Sequence, residues 1–141
     1  MYELDAIEQV QRYFTRRLNG LKMYSYTERL FLLGLESLEL RRLKIDLCVY
    51  FKILHNLIDV EINDFFIVRE NNHNTRGHNF TLRLNCSNVR NNRSRNLFRN
   101  RNVNCWNNLP YSVVNSDLIA IFKRELNKID LHSFLKGHAL E

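Results

Sequence analysis

Glycine and proline are scarce in this chain, four and one in 141 residues. So few obligatory breaks permit long helices, and the single Pro110 follows a long stretch with no sharp stop signal. No 18-residue apolar run exists, because Lys44, Asp46 and Lys52 interrupt the most hydrophobic region; that excludes a predicted membrane span. The first residues mix Glu3, Asp5 and Glu8 with apolar positions, unlike a secretory leader. Cysteine is also sparse. Cys48, Cys86 and Cys105 are odd in number and widely spaced, so no disulfide framework is expected, and an intracellular, nuclear or cytoplasmic setting fits best.

Acid is the most unevenly distributed residue class. Residues 1–70 hold 10 Lys+Arg against 11 Asp+Glu, and residues 71–141 hold 11 against 4, so the net charge of +6 lies in the second half. Between Asn71 and Ser116 there is no acid at all, while Arg76, Arg83, Arg90, Arg93, Arg95, Arg99 and Arg101 alternate with many asparagines. Such a stretch suits a polyanionic partner. With 45% hydrophobic residues in 17.0 kDa, the chain can bury a core and is too short for two full domains, so one domain over 1–141 is expected.

Hydrophobic periodicity predicts a mainly α architecture of about five helices. From Asp5, read as a cap, Ile7, Val10, Phe14 and Leu18 recur at helical spacing up to Gly20. Ser25 and Glu28 stand at capping-box spacing before Leu30, Phe31 and Leu33, with Gly34 as a stop. Ser37 opens a long helix over about residues 38–57, with Leu40, Leu43, Leu47, Tyr50, Leu54 and Leu57 on one stripe and Arg41, Lys44 and Lys52 away from it. These three helices form a sub-bundle over 1–60, packed through Ile7, Val10, Phe14, Leu30, Leu43, Leu47 and Leu54. Phe66 and Val68, then Phe80, Leu82 and Leu84, alternate with polar residues and allow one small β-hairpin between residues 66 and 84. A fourth helix runs from Leu97 through Arg101 and Val103 to Trp106, within a basic segment over 71–116. A fifth follows a Ser116 cap over 117–130 with Leu118, Phe122, Leu126 and Ile129.

Candidate chemistry is thin. Two-metal phosphoryl transfer needs clustered carboxylates, whereas Asp46, Asp59, Glu61 and Asp64 are scattered and read as solvated surface groups. His73, His78, Cys86 and Cys105 contain no matched pair of zinc-ligand spacings. Cys48 reads as a small core residue, and His55 as a helix-end residue needing no ligand. No catalytic residue, metal site or cofactor is expected. The seven arginines are the candidate site: guanidinium groups fork onto phosphate oxygens, while asparagine amides and the rings of Phe80, Phe98 and Trp106 offer hydrogen bonds and stacking faces. The bland alternative is a solvated basic surface with Trp106 as a core anchor.

One succession of motifs carries a resemblance. Val10-Gln11-Arg12, Ser25-Tyr26-Thr27-Glu28-Arg29-Leu30, Leu33-Gly34-Leu35, Ser37-Leu38-Glu39 and Arg41-Arg42 are followed by Lys52-Ile53-Leu54, Thr75-Arg76-Gly77-His78, Arg93-Ser94-Arg95, Phe98, Arg101, Trp106-Asn107-Asn108-Leu109-Pro110 and Phe122-Lys123. In order and spacing, over roughly residues 6–130, this resembles the region after the polymerase domain in jockey-like, LINE-type non-LTR retrotransposon reverse transcriptases. Asn102 stands where that family usually has an apolar residue, and Phe51 replaces a usual tyrosine. The resemblance implies a non-enzymatic tail: the palm aspartates of that RNA-directed DNA polymerase family lie upstream of this region, and the start near Met1 looks like a cut through a longer protein. Expected partners are an RNA or DNA backbone and the upstream polymerase domain, with no membrane contact; the oligomeric state is left open. The alternative function is an architectural helical module that packs on the polymerase or a partner protein without touching nucleic acid.

Overall fold

The computed structural model describes residues 2–68, 81–83 and 97–135, without the side chains of residues 2–5, 83 and 99. The fold is mainly α. Its elements are α1 (Tyr2–Arg17), α2 (Tyr26–Leu33), α3 (Leu38–Leu54), α4 (Ile62–Phe65), β1 (Ile67–Val68), β2 (Leu82–Arg83), α5 (Phe98–Arg101), α6 (Val103–Asn107), α7 (Tyr111–Val114), α8 (Ile119–Leu126) and a 3-10 turn at His132–Phe134. They form two compact units, Met1–Leu43 with Leu131–Glu141, and Lys44–Asp130. The dividing point falls inside α3 and not near residue 60.

In the first unit, local capping chemistry sets the helix ends. Ser25 accepts from the Glu28 amide at 3.3 Å while Glu28 accepts from the Ser25 amide at 2.7 Å, a closed capping box. Gly34 ends α2 at φ +62°, where a side chain would be strained. Ser37 caps α3 by accepting from the Leu40 amide at 3.2 Å. Helix α1 begins at Tyr2, so Asp5 lies inside it and is not its cap.

The orientation of α1 overturns the expected packing. Ile7, Val10 and Phe14 are 55%, 69% and 62% exposed, and it is the polar face that turns inward. Buried Glu8 accepts from the Leu38 and Glu39 amides at 2.9 and 3.3 Å, so a carboxylate on α1 meets the positive end of α3. The Tyr26 hydroxyl also donates to Glu8, and burial, then Glu8, push its pKa up, which keeps it a donor. Gln11 donates to the Glu36 carbonyl at 2.9 Å. Buried Arg29 donates to Thr15 Oγ1 at 3.2 Å and to the Tyr24 carbonyl at 2.5 Å. Tyr26 and Arg29, one turn apart on α2, thus grip α1 by its hydrogen-bonding side. Apolar spacing gives a helix its period; here these bonds choose which face is covered.

The second unit is built around Tyr50. Its ring lies 4.5 Å from Phe66, 5.1 Å edge-on from Phe98 and 5.9 Å from Trp106, while Trp106 and Phe51 approach Phe122 at 6.0 and 4.5 Å. Burial of this aromatic cluster, with Leu47, Ile53, Val114 and Leu126, is the main stabilising term. Leu57, expected on the same stripe, is 51% exposed because α3 stops at Leu54. His55 stacks on Phe51 at 4.0 Å and its Nε2–H donates to the Val114 carbonyl at 2.9 Å, joining the ends of α3 and α7.

A two-residue antiparallel pairing, Ile67 with Arg83 and Val68 with Leu82, stands where the small hairpin was expected. The helix expected from Leu97 to Trp106 is broken at Asn102, whose φ −117° and ψ 9° separate α5 from α6. Ser116 does not cap α8, which starts after Leu118 with no side-chain cap; its hydroxyl donates to the Val113 carbonyl at 2.7 Å and closes α7 instead.

Candidate nucleic-acid interface

Of the seven candidate arginines, Arg76, Arg90, Arg93 and Arg95 lie outside the described residues, as do Phe80, His73, His78 and Cys86. Arg83 lies on β2 and Arg99 on α5. Arg101, at the end of α5, is committed within the fold. Its Nε and Nη2 donate to Asp46 Oδ2 and Oδ1 at 2.6 and 2.5 Å, a forked ion pair, and Asn102 Nδ2 donates to the same carboxylate at 2.5 Å. Asp46 is therefore buried, not the solvated surface group expected; Asp59, Glu61 and Asp64 are exposed as expected. The polar residue at position 102 completes this cluster.

The expected stacking faces are also occupied. Trp106 is fully buried and Phe98 packs on Tyr50, so both are core anchors. The Tyr50 hydroxyl donates to the Phe98 carbonyl at 2.7 Å, and burial raises its pKa, preserving the proton that makes this bond.

The surrounding Trp-Asn-Asn-Leu-Pro run has a structural account residue by residue. Asn107 Oδ1 accepts from the Leu82 amide and its Nδ2 donates to the Leu82 carbonyl, both at 2.8 Å. Asn108 turns back to the Asn104 carbonyl at 2.8 Å, Leu109 is buried, and Pro110 precedes α7 at φ −61°. Among the described residues, polar bonds hold the basic segment at Leu82 by Asn107, at Phe98 by Tyr50, at Arg101 by Asp46 and at Val114 by His55.

Sequence reasoning missed two lysines near Cys48 on the second unit. Lys52 of α3 and Lys123 of α8 both act on the Cys48 thiol, whose pKa is raised by burial and drawn back by these two ammonium groups. Lys44, one turn before Cys48, donates to Asn127 Oδ1 at 2.8 Å. The only sequence signal was that Lys44 and Lys52 flank Cys48 at i−4 and i+4; Lys123, far along the chain, gave none. Cys48 is half-buried and not wholly in the core as expected. Burial pushes the Cys105 thiol up to about 12, far from the thiolate needed by a nucleophile or metal ligand.

A hollow of ≈ 580 Å³ lies over the loop from Asn56 to Asn63, with Asp59, Glu61 and Val68 in its lining. Its two carboxylates repel a polyanion. Among the described residues, no group of three or more His, Cys, Asp or Glu side chains could hold a metal ion, and no helix is long and apolar enough to cross a membrane. Comparison with protein-family models, curated proteins and solved structures found no match to the chain.

Proposed function

We propose that this chain is a non-catalytic segment of a LINE-type reverse transcriptase that contacts template RNA or target DNA through its Arg/Asn-rich stretch inside the cell. The observation that carries the reading is charge placement. From Asn71 to Ser116 there are seven arginines and no acid; Asp46 takes up Arg101, and guanidinium groups elsewhere in the stretch are the phosphate ligands of this reading. The stretch is also anchored on the second unit, by Asn107 at Leu82 and by Asp46 at Arg101. The arginines position a backbone without reading its sequence.

The test is direct binding of the chain to a labelled RNA and to a primer-template duplex. Salt-sensitive binding of either is expected. With nucleotides and magnesium added, no primer extension is expected, and extension by protein purified free of other polymerases would overturn the non-catalytic assignment.

One observation favours a second reading. Phe98, Trp106 and Arg101 all serve the core, as an architectural module packed on a polymerase or partner protein requires. Absence of nucleic-acid binding at low salt would select that reading.

A further inference from the structure

We infer that α1 is a latch, a helix that opens from the rest of its unit and closes onto it by itself, with Glu8 as the catch. Of its described side chains, from Ala6 to Arg17, Glu8 and Thr15 are buried and Gln11 and Arg12 half-buried, while every apolar one is exposed. No described apolar side chain of α1 therefore adds the transfer free energy that holds α3, where Leu43, Leu47, Tyr50, Phe51, Ile53 and Leu54 are buried. An element without buried apolar contacts opens locally, well before the chain unfolds.

The bonds that close α1 onto α2 and α3 are polar. Glu8 accepts from the Leu38 and Glu39 amides and from the Tyr26 hydroxyl. Gln11 donates to the Glu36 carbonyl, and Arg29 donates through Nε to Thr15 Oγ1 and through Nη2 to the Arg12 carbonyl at 3.4 Å. The Arg12 guanidinium lies 4.8 Å from the Tyr26 ring centre. On opening, each of these groups exchanges its partner for water, so the net hold of each bond is a fraction of its gross strength. Glu8 is the catch because three donors converge on it, because bonds to a carboxylate are the strong ones of such a set, and because its charge faces the positive end of α3. The exposed apolar row takes no part in closure. Opening uncovers Tyr26 and Arg29, 4% and 5% exposed when the latch is shut, together with the first amides of α3. Open and closed chains thus present different surfaces, whether or not nucleic acid is bound.

Hydrogen exchange of the whole chain tests it, read helix by helix by mass spectrometry under conditions where exchange follows the opening equilibrium. The α1 amides from Ile7 to Arg17 should be protected at least about tenfold less than the α3 amides from Leu43 to Leu54. Glu8→Gln, which keeps the shape and removes the charge, should speed α1 exchange about tenfold or more and leave α3 as it was. Thr15→Val, which removes an acceptor of Arg29, should do the same to a smaller extent. Phe14→Gln, on the exposed row, should leave α1 as protected as in the parent. Parent α1 amides as slow as those of α3, a Glu8→Gln or Thr15→Val chain whose α1 is unaltered or whose α3 loses protection equally, or a Phe14→Gln chain whose α1 opens as readily as that of Glu8→Gln would each overturn the proposal.

Discussion

Arg101 grips Asp46 across 55 residues of sequence with two nearly parallel N–H···O bonds of 2.6 and 2.5 Å, and the carboxylate is 7% exposed. Removing one member leaves the other charge in a poorly hydrated site. Asp46→Ala should therefore lower unfolding free energy by about 3–5 kcal/mol, whereas the apolar double replacement Asp46→Leu/Arg101→Met should lose far less. Urea unfolding of both variants measures the difference. Equal losses would show that the pair is solvated and contributes little.

Asn107 satisfies both backbone groups of Leu82. Asn107→Ala should cost about 1–3 kcal/mol and expose the Leu82 amide to fast hydrogen exchange, while the amides within α3 keep their protection. A Leu82 amide as slow as in the parent would show that another group holds the strand.

Tyr26 and Tyr50 both have raised pKa values, through burial first and, for Tyr26, through Glu8 next. The folded chain keeps these protons where the unfolded chain has lost them. Their contribution to stability is fully present below the ordinary tyrosine value of about 10 and is lost progressively as pH rises above it. Absorbance at the tyrosinate band should show a late step that coincides with unfolding and shrinks in Tyr50→Phe. A late step unchanged in that variant would assign it to another tyrosine.

For nucleic-acid binding, the slope of log K against log salt should flatten by about two to three units in Arg93→Gln/Arg95→Gln/Arg99→Gln, with helix content unchanged. Arg101→Gln should do the reverse, reducing stability and leaving the slope alone. A triple variant with the parent's slope, or one that loses its helical spectrum, would make the cluster structural.

What could be read in the sequence was whatever is decided within a turn or two of helix. The Ser25–Glu28 box, the Gly34 stop, the Ser37 cap and the Leu40–Leu43–Leu47–Tyr50–Leu54 stripe were all visible because each depends on neighbours three or four residues away. The face of α1 was not, because its spacing is that of a core helix while the bonds that orient it come from Tyr26, Arg29 and the start of α3. Asp46 and Asn102 were opaque for the same reason: their meaning depends on a partner more than 50 residues away. Of the candidate site, charge composition was legible; Arg101's role within the fold and the Lys52–Lys123 pairing about Cys48 required three dimensions.

The amide of Asn107 occupies the outer side of β2 as a third strand would. That position bears on aggregation. An open edge of unpaired N–H and C=O groups recruits other strands, and asparagine-rich sequence is the kind that stacks into cross-β assemblies. Here such a sequence, Asn71 to Asn79, lies in the same chain as the two-stranded ladder. Asn107 closes the β2 edge to strand addition with a side chain that cannot itself propagate a sheet. In Asn107→Ala that block is gone, and the variant should form thioflavin-positive fibrils under conditions where the parent chain stays clear.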